Sequence, residues 1–310
     1  MQKIIAGPFV GEFGWKLFCW QAHLRYLSKI GYEITVVDNP NHKILYKDFA
    51  EKFIPYQTYM YGDTSMSRMW GFDHMHQSVL DTINSHIPIK TKFTVLNTPL
   101  NCGQYYVLSF CSTDKKEYIW IPPNEEVINY NSMFWSNQNN PQNQFYEINQ
   151  SFIPYNIKIN NQKIFDIILH ARSTTKGNSA NKNWHVGNWL SLIDIIKKSK
   201  HKNLSICTIG DIHGSLSLPG IEDMRGINLE NEIYMLNNAK CMIGCPSGPI
   251  NLAALCSCPR VLVIGIEEYL NRYTRDWNPF NVKIKIVQEI GRQPQPNSVY
   301  SKINEILENQ

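Results

Sequence analysis

No run of apolar residues in this chain of 310 residues approaches the ~18 that a membrane-spanning helix needs. The opening Met1-Gln2-Lys3-Ile4-Ile5-Ala6-Gly7-Pro8 lacks the charged region, long apolar stretch and cleavage site of a signal peptide. It enters a strand-like run directly, so a cytoplasmic protein is expected. No C-x-x-C pair occurs among the eight cysteines, which removes the usual spacing of a zinc site. Cys19, Cys207, Cys241 and Cys256 lie in apolar segments, and reduced, mostly buried thiols are expected. No Asp-x-Asp pair is present, and no metal is expected. No run of Lys or Arg exceeds two residues, which argues against tight non-specific nucleic-acid binding, since phosphate contacts need clustered cations.

What is present suits a two-domain globular protein. Hydrophobic residues make up 43% of the chain and aromatics 12%, enough to build real cores. The length is comfortable for two domains. The net charge of +4 is uneven: residues 1–160 carry 13 basic and 13 acidic residues, and residues 161–310 carry 17 and 13. All the positive excess lies in the second half, which suits an anionic ligand there.

The chain opens with a strand over 3–6 and 9–10 around Gly7-Pro8, a turn Gly11-Glu12-Phe13-Gly14, a helix over about 15–29 and a strand over 33–37. Leu17, Trp20, Leu24 and Leu27 have helical spacing and Gly31 ends the run. This βαβ opening implies a parallel sheet. A helix is expected near 42–52 and strands near 93–96, 105–110 and 117–121. The polar stretch 137–144 reads as a surface loop, with a linker near 150–162. The second half alternates more plainly: strand 165–172, polar loop 173–183, helix 185–199, strand 204–210, helix 229–239 after Asn228, a strand from Cys241, a Gly/Pro/Ser turn and helix, strand 260–264 and a final amphipathic helix over 298–308. The expected architecture is α/β, with two Rossmann-like domains (1–155 and 156–310) whose sheets face a cleft. The final helix is a candidate to pack back on the first domain.

Each candidate site follows a strand. Ser247-Gly248-Pro249-Ile250 combines an N-cap candidate, a residue that lets a ligand approach the backbone, and a proline suited to the first helical turn. Such a helix start binds anions, or it is an ordinary cap. Arg172, with Lys176 and Lys182 beyond it, offers donors to phosphate oxygens, or forms a basic surface loop. His170, in phase with Arg172, reads as a hydrogen-bonded core histidine. Gly210-Asp211 ends another strand and either borders a nucleotide or makes a plain turn. Trp184 either stacks on a base or packs the next helix onto the sheet. Glu12 stands before the first helix, as a general base for an attacking hydroxyl or as a complement to the helix dipole. The turn lacks the third glycine of a dinucleotide fingerprint. Arg272-Tyr273-Thr274-Arg275-Asp276-Trp277 either closes over a ligand or is a surface loop anchored by its tryptophan.

Taken together, these motifs resemble the GT-B glycosyltransferases, and among them the heptosyltransferase family. Gly244 to Ala254 is similar to that family's diphosphate-binding turn, Gly-Pro-Asp-Thr-Gly-Pro, and its His-Leu-Ala-Ala helix. Cys245-Pro246-Ser247 stands in the region of Asp-Thr, and Asn251 replaces the His. Gly11-Glu12 resembles the family's Gly-Asp, whose Asp is the proposed base. The resemblance implies an inverting, metal-independent transfer from a nucleotide-diphosphate sugar, with no other cofactor. Glu12 is then the base. Arg172, Lys176, Lys182, Gly210, Asp211, Ser247, Gly248, Pro249 and Ile250 hold the donor. Gly11, Gly14, Trp15, Arg272 and Arg275 are candidates for acceptor contact or a lid. His170-Ala171-Arg172 also resembles the His-x-Arg of fucosyltransferases, which keeps a GDP-sugar donor open. The Gly-Glu-Phe-Gly-Trp opening resembles heptosyltransferase-like proteins of bacteria and phages, so a cell-surface glycan and a hydroxymethylated DNA base are both candidate acceptors. A sugar-nucleotide epimerase of the same fold and a non-enzymatic glycan- or nucleic-acid-binding module are the alternatives.

Overall fold

A computed structural model describes residues 3–9, 13–57, 72–87, 89–96, 107–112, 117–121, 152–160, 162–174, 181–265, 270, 272–289 and 293–308. The chain divides into two compact units, Met1–Phe152 and Ile153–Gln310.

The first unit is a six-stranded sheet in the order β3-β2-β1-β6-β5-β4. β1 (Lys3–Ala6) lies between β2 (Glu33–Asp38) and β6 (Glu117–Ile121), parallel to both. β3 (Lys52–Pro55) extends the parallel part beyond β2. The parallel expectation stops at β6: β4 (Ile89–Leu96) and β5 (Val107–Ser112) run antiparallel. The connections explain it. A parallel crossover needs a dozen or more residues, and only residues 113–116 join β5 to β6, and 97–106 join β4 to β5.

The first helical segment runs as α1 (Phe13–Trp15), a π turn (Lys16–Trp20) and α2 (Gln21–Lys29). Its apolar positions Leu17, Trp20, Leu24 and Leu27 are all buried. The helix expected near 42–52 is shorter and tighter. It is a 3-10 turn, Pro40–Leu45, started by Asn39, whose side chain accepts from the Asn41 N–H at 2.9 Å. The residues beyond it are needed for β3. α3 (Phe72–His86) packs Val79 and Ile83 against Ile5, Val37 and Ile54. The loop expected over 137–144 lies outside the described residues.

The second unit is a fully parallel sheet in the order β12-β11-β10-β7-β8-β9. In chain order the elements are β7 (Ile167–His170), α4 (Val186–Lys198), β8 (Ile206–Thr208), β9 (Glu222–Asp223), α5 (Leu229–Asn238), β10 (Cys241–Gly244), α6 (Gly248–Leu255), β11 (Arg260–Ile264), β12 (Lys283–Val287) and α7 (Pro296–Glu308). β9 and β12 were not expected. β9 has two residues, and β12 is an edge strand whose Lys-Ile-Lys-Ile alternation is its one signal. α7 joins this unit's own core. Its stripe Val299, Ile303, Ile306 and Leu307 joins Trp189, Leu192, Ile193 and Ile196 of α4 in one buried cluster.

One side chain of α5 ties the start of this unit to the end of α6. Asn237 Nδ2 donates to the carbonyls of Tyr155 and Cys256, each at 2.6 Å, and its Oδ1 accepts from the Ile157 N–H at 3.3 Å. The Tyr155 N–H donates to the Leu255 carbonyl at 3.0 Å. Asn237→Ala removes all three side-chain bonds and leaves part-buried groups unpaired, so it should cost about 1–3 kcal/mol. Urea unfolding of the full chain measures this, and an unchanged midpoint would show that water replaces the amide.

Candidate functional site

The order β12-β11-β10-β7-β8-β9 is the doubly wound arrangement in which strand order reverses between two central strands, here β7 and β10. Ligands of such sheets bind outside the carboxyl ends of the strands at that reversal. His170 ends β7 and Gly244 ends β10, and the two are direct partners in the ladder. The connection after β7 leads away to β8 and the one after β10 leads to β11, so the backbone opens between them.

His170 fills the floor of this opening, 4% exposed. Glycines make its room. Gly210 has φ +119°, and a Cβ there would lie 2.7 Å from His170 Cδ2. A Cβ on Gly244 would lie 3.1 Å from the Cβ and the carbonyl of His170. Burial drives the His170 pKa down to about 3, and the charge on Arg172 adds to the effect. The imidazole is therefore neutral at physiological pH. The buried Cys245 thiol is pushed up to about 12 by burial, against the pull of Arg172. Buried thiols at Cys207, Cys241, Cys256 and Cys258 are likewise raised by burial and unpaired as disulfides.

Next to His170 stands the start of α6. Ser247 is its N-cap residue, extended at φ −165° and ψ 171°, yet its side chain makes no capping bond. Its Oγ lies 2.9 Å from His170 Nδ1 and donates to the Cys245 carbonyl at 2.9 Å. The first N–H groups of the helix thus have no side-chain cap, and they carry the positive end of the helix dipole. Ser247, Gly248 and Pro249 are half-buried, whereas Ile250 is fully buried. Asn251, one turn in, is 4% exposed with its Oδ1 unpaired among the described residues. An unpaired buried acceptor is costly, and sequence reasoning noted this position only as a departure from His.

Of the expected donor-site cations, Arg172 follows the end of β7 at this opening. Half-buried Arg172 pairs with Ser215 in an isolated bridge and donates from Nη1 to Asn183 Oδ1 at 3.0 Å. Asn183 Nδ2 in turn donates to the Thr174 carbonyl at 2.8 Å, and Gln293 Nε2 donates to the Asn183 carbonyl at 2.7 Å. Half-buried Lys182 immediately precedes this anchored Asn183. Lys176 lies outside the described residues. Trp184 packs and does not face a ligand: it is 1% exposed, meets Trp189 edge-on at 4.8 Å, and donates from Nε1 to the Pro294 carbonyl at 2.9 Å.

Two further candidate segments are held by contacts within the chain. Gly210 serves His170, and Asp211 makes a turn, its Oδ1 accepting from the N–H groups of His213 and Gly214 at 2.9 and 3.0 Å. Arg272 and Arg275 lie on a π turn, Arg272–Asp276, anchored by buried Trp277, over which the Arg272 guanidinium stacks at 4.8 Å. Arg275 is exposed.

In the first unit, Gly14 is buried within α1 and the backbone of Trp15 ends that turn. Gly11 and Glu12 lie outside the described residues. The sequence reading missed a buried polar cluster there. Lys16 Nζ donates to Asp38 Oδ1 at 2.7 Å and Oδ2 at 2.9 Å, and meets His42 Nδ1 at 2.8 Å. The Tyr46 hydroxyl donates to Asp38 Oδ2 at 2.5 Å. Its one sequence signal was an acidic residue directly after the apolar pair Val36-Val37. Among the described residues no group of three His, Cys, Asp or Glu is arranged to hold a metal ion, and no helix is long and apolar enough to cross a membrane.

No protein-family model and no curated protein matches the sequence. Solved structures do match along the whole chain. An E. coli heptosyltransferase, WaaC, with ADP aligns at 14% identity and a TM-score of 0.53, covering 99% of this chain and 100% of that one. The E. coli ADP-heptose LPS heptosyltransferase II aligns at 14% identity and 0.54, covering 100% and 99%. A family 9 glycosyltransferase from Veillonella parvula aligns at 8% and 0.53, covering 100% and 98%. The chain has the two-domain α/β fold of the GT-B glycosyltransferases, in its heptosyltransferase-like form.

Proposed function

We propose that the protein is a glycosyltransferase that moves a sugar from a nucleotide-diphosphate donor to an acceptor hydroxyl. The observation that carries this reading is the uncapped start of α6 at the strand-order reversal, with the charge of Arg172 felt at His170 beside it. Backbone N–H groups at a helix start suit a diphosphate, and half-buried cations compensate the charge that develops as it leaves.

In this mechanism Arg172, Lys176, Lys182 and the backbone N–H groups of Ser247, Gly248 and Ile250 hold the diphosphate, and Pro249 sets the first turn. Glu12 takes the proton of the acceptor hydroxyl. The acceptor oxygen bonds to the anomeric carbon from the face opposite the diphosphate, inverting that centre. The carbon–oxygen bond to the diphosphate breaks, and a nucleoside diphosphate leaves. Asn251 Oδ1 accepts from a sugar hydroxyl. The charge compensation comes from the chain itself and needs no metal. Since one neighbour is described with ADP and another structure of it with ADP-2-deoxy-2-fluoro heptose, an ADP-sugar is the first donor to test, ahead of GDP- and UDP-sugars. A bacterial cell-surface glycan and a hydroxymethylated base in phage DNA are the acceptors to compare.

Isothermal titration of ADP, GDP and UDP against the full chain tests the donor site, with dissociation constants below millimolar expected for one of them. Failure of all three at millimolar concentration would overturn the reading. Incubation with the sugar nucleotide alone separates transfer from epimerisation, because without an acceptor a transferase leaves the donor sugar unchanged.

A further inference from the structure

We propose that His170 is a positioning residue that directs the Ser247 hydroxyl, making it a hydrogen-bond donor to an anion at the start of α6. This rests on the reading of that helix start as a diphosphate site. The argument begins with proton counting. A serine at an N-cap ordinarily accepts a backbone N–H from the helix. Ser247 makes no such bond. Its Oγ has two partners instead, His170 Nδ1 and the Cys245 carbonyl, both at 2.9 Å.

A hydroxyl has one proton to give and two acceptor positions, and a carbonyl can only accept. Both contacts are satisfied together in one arrangement: Ser247 donates to Cys245, and His170 donates from Nδ1–H to Ser247. The imidazole is then the Nδ1–H tautomer. Its neutrality follows from burial, which holds its pKa far below physiological pH. The ring lies in the space left by Gly210, where a Cβ would come within 2.7 Å of its Cδ2 and 2.9 Å of its Nε2.

This arrangement keeps Ser247 from competing for the helix N–H groups. An imidazole N–H occupies its acceptor side, so what the hydroxyl offers an incoming anion is its proton. Rotation about the Cβ–Oγ bond moves that proton from the Cys245 carbonyl to a phosphate oxygen, while the bond from His170 persists. The helix N–H groups and the serine O–H then point to one anion.

The first test uses the unmodified protein. Long-range proton–nitrogen NMR of the histidine rings should show His170 as the Nδ1–H tautomer at neutral pH; an Nε2–H tautomer or a charged ring overturns the proposal. The second is a double-mutant cycle read by titration with the nucleoside diphosphate that binds best. Ser247→Ala should weaken binding roughly tenfold, as loss of a hydrogen bond to a charged group does. His170→Leu should weaken it roughly 3- to 10-fold, and no further when Ser247 is already Ala. His170→Asn, whose amide N–H mimics Nδ1–H, should restore most of the affinity lost in His170→Leu. Additive losses, or no rescue by Asn, refute the role of His170 while leaving the diphosphate site standing. If the unmodified protein binds no nucleoside diphosphate, the site reading itself fails.

Discussion

Asp38→Ala should lower the stability of the protein by about 3–5 kcal/mol, the usual cost of breaking a buried ion pair from one side. Asp38 is fully buried and Lys16 is 4% exposed. The carboxylate takes two bonds from Lys16, one from the Tyr46 hydroxyl and one from the Asn39 N–H at 2.8 Å. Burial alone would raise the Asp38 pKa, but Lys16 and His42 more than reverse this and hold it well below the usual carboxylate range. A carboxylate with a lowered folded-state pKa stabilises the fold above its unfolded pKa, near 3.9, and this contribution fades as pH falls below that value. The variant should therefore lose less stability on acidification than the parent.

Lys16 supplies the opposite sign. Burial lowers its pKa, and Asp38 offsets this only in part. Without Asp38 the ammonium is harder to keep charged inside the fold. A folded pKa below the unfolded one means stability rises with pH between them, so the deficit of Asp38→Ala should shrink as pH rises above neutral. Lys16→Met combined with Asp38→Leu should recover much of the loss, because apolar replacement of both partners is often neutral or better. Urea unfolding of the three proteins across pH measures all of this. An Asp38→Ala midpoint equal to the parent's would show that the pair contributes nothing.

Glu12→Gln should reduce turnover by about 10²–10⁴, the usual contribution of a general base, and leave nucleoside diphosphate affinity within about twofold. The proposed division of labour sets this contrast, since the donor diphosphate is assigned to α6 and the cations near it. The alternative role for Glu12, a complement to the dipole of the first helix, predicts a different result: a stability loss of about 0.3–1 kcal/mol with turnover intact. Measuring kcat, affinity and the unfolding midpoint on one preparation separates the two. Lys16 follows Glu12 by four residues, and its anchorage to Asp38 holds the π turn that begins at Lys16. A disturbed turn in the Asp38 variant should therefore reduce turnover as well, without weakening nucleotide binding.

Much of the second unit was legible in the sequence. Ile167-Ile168-Leu169, Cys241-Met242-Ile243 and Val261-Leu262-Val263-Ile264 are short apolar runs bounded by turn residues, and all are buried parallel strands. Asn228 was legible as a cap because capping is local; it accepts from the Asn231 N–H at 2.8 Å. Ser247 shows the limit of the same rule. Its identity and position suit a cap, but a histidine 77 residues earlier takes its side chain. Gly210 was legible as the turn that ends a strand, but not as the residue whose missing Cβ makes room for that histidine. Trp184 carried no local mark to separate stacking on a ligand from packing in the core, since an aromatic ring serves both.

The sequence by itself determined the alternation of strands and helices, the position of each turn that follows a strand in the second unit, and the concentration of positive charge there. These depend on periodicity, turn chemistry and composition, which are properties of neighbouring residues. Only the tertiary structure decided that β4 and β5 turn antiparallel, that α7 packs on α4, that Lys16 meets Asp38, and that His170 meets Ser247. Those pairings join residues distant in the chain, and their energy comes from burial and from protons shared between them. No local pattern encodes such partners, because each exists only once the sheet has set its strand order.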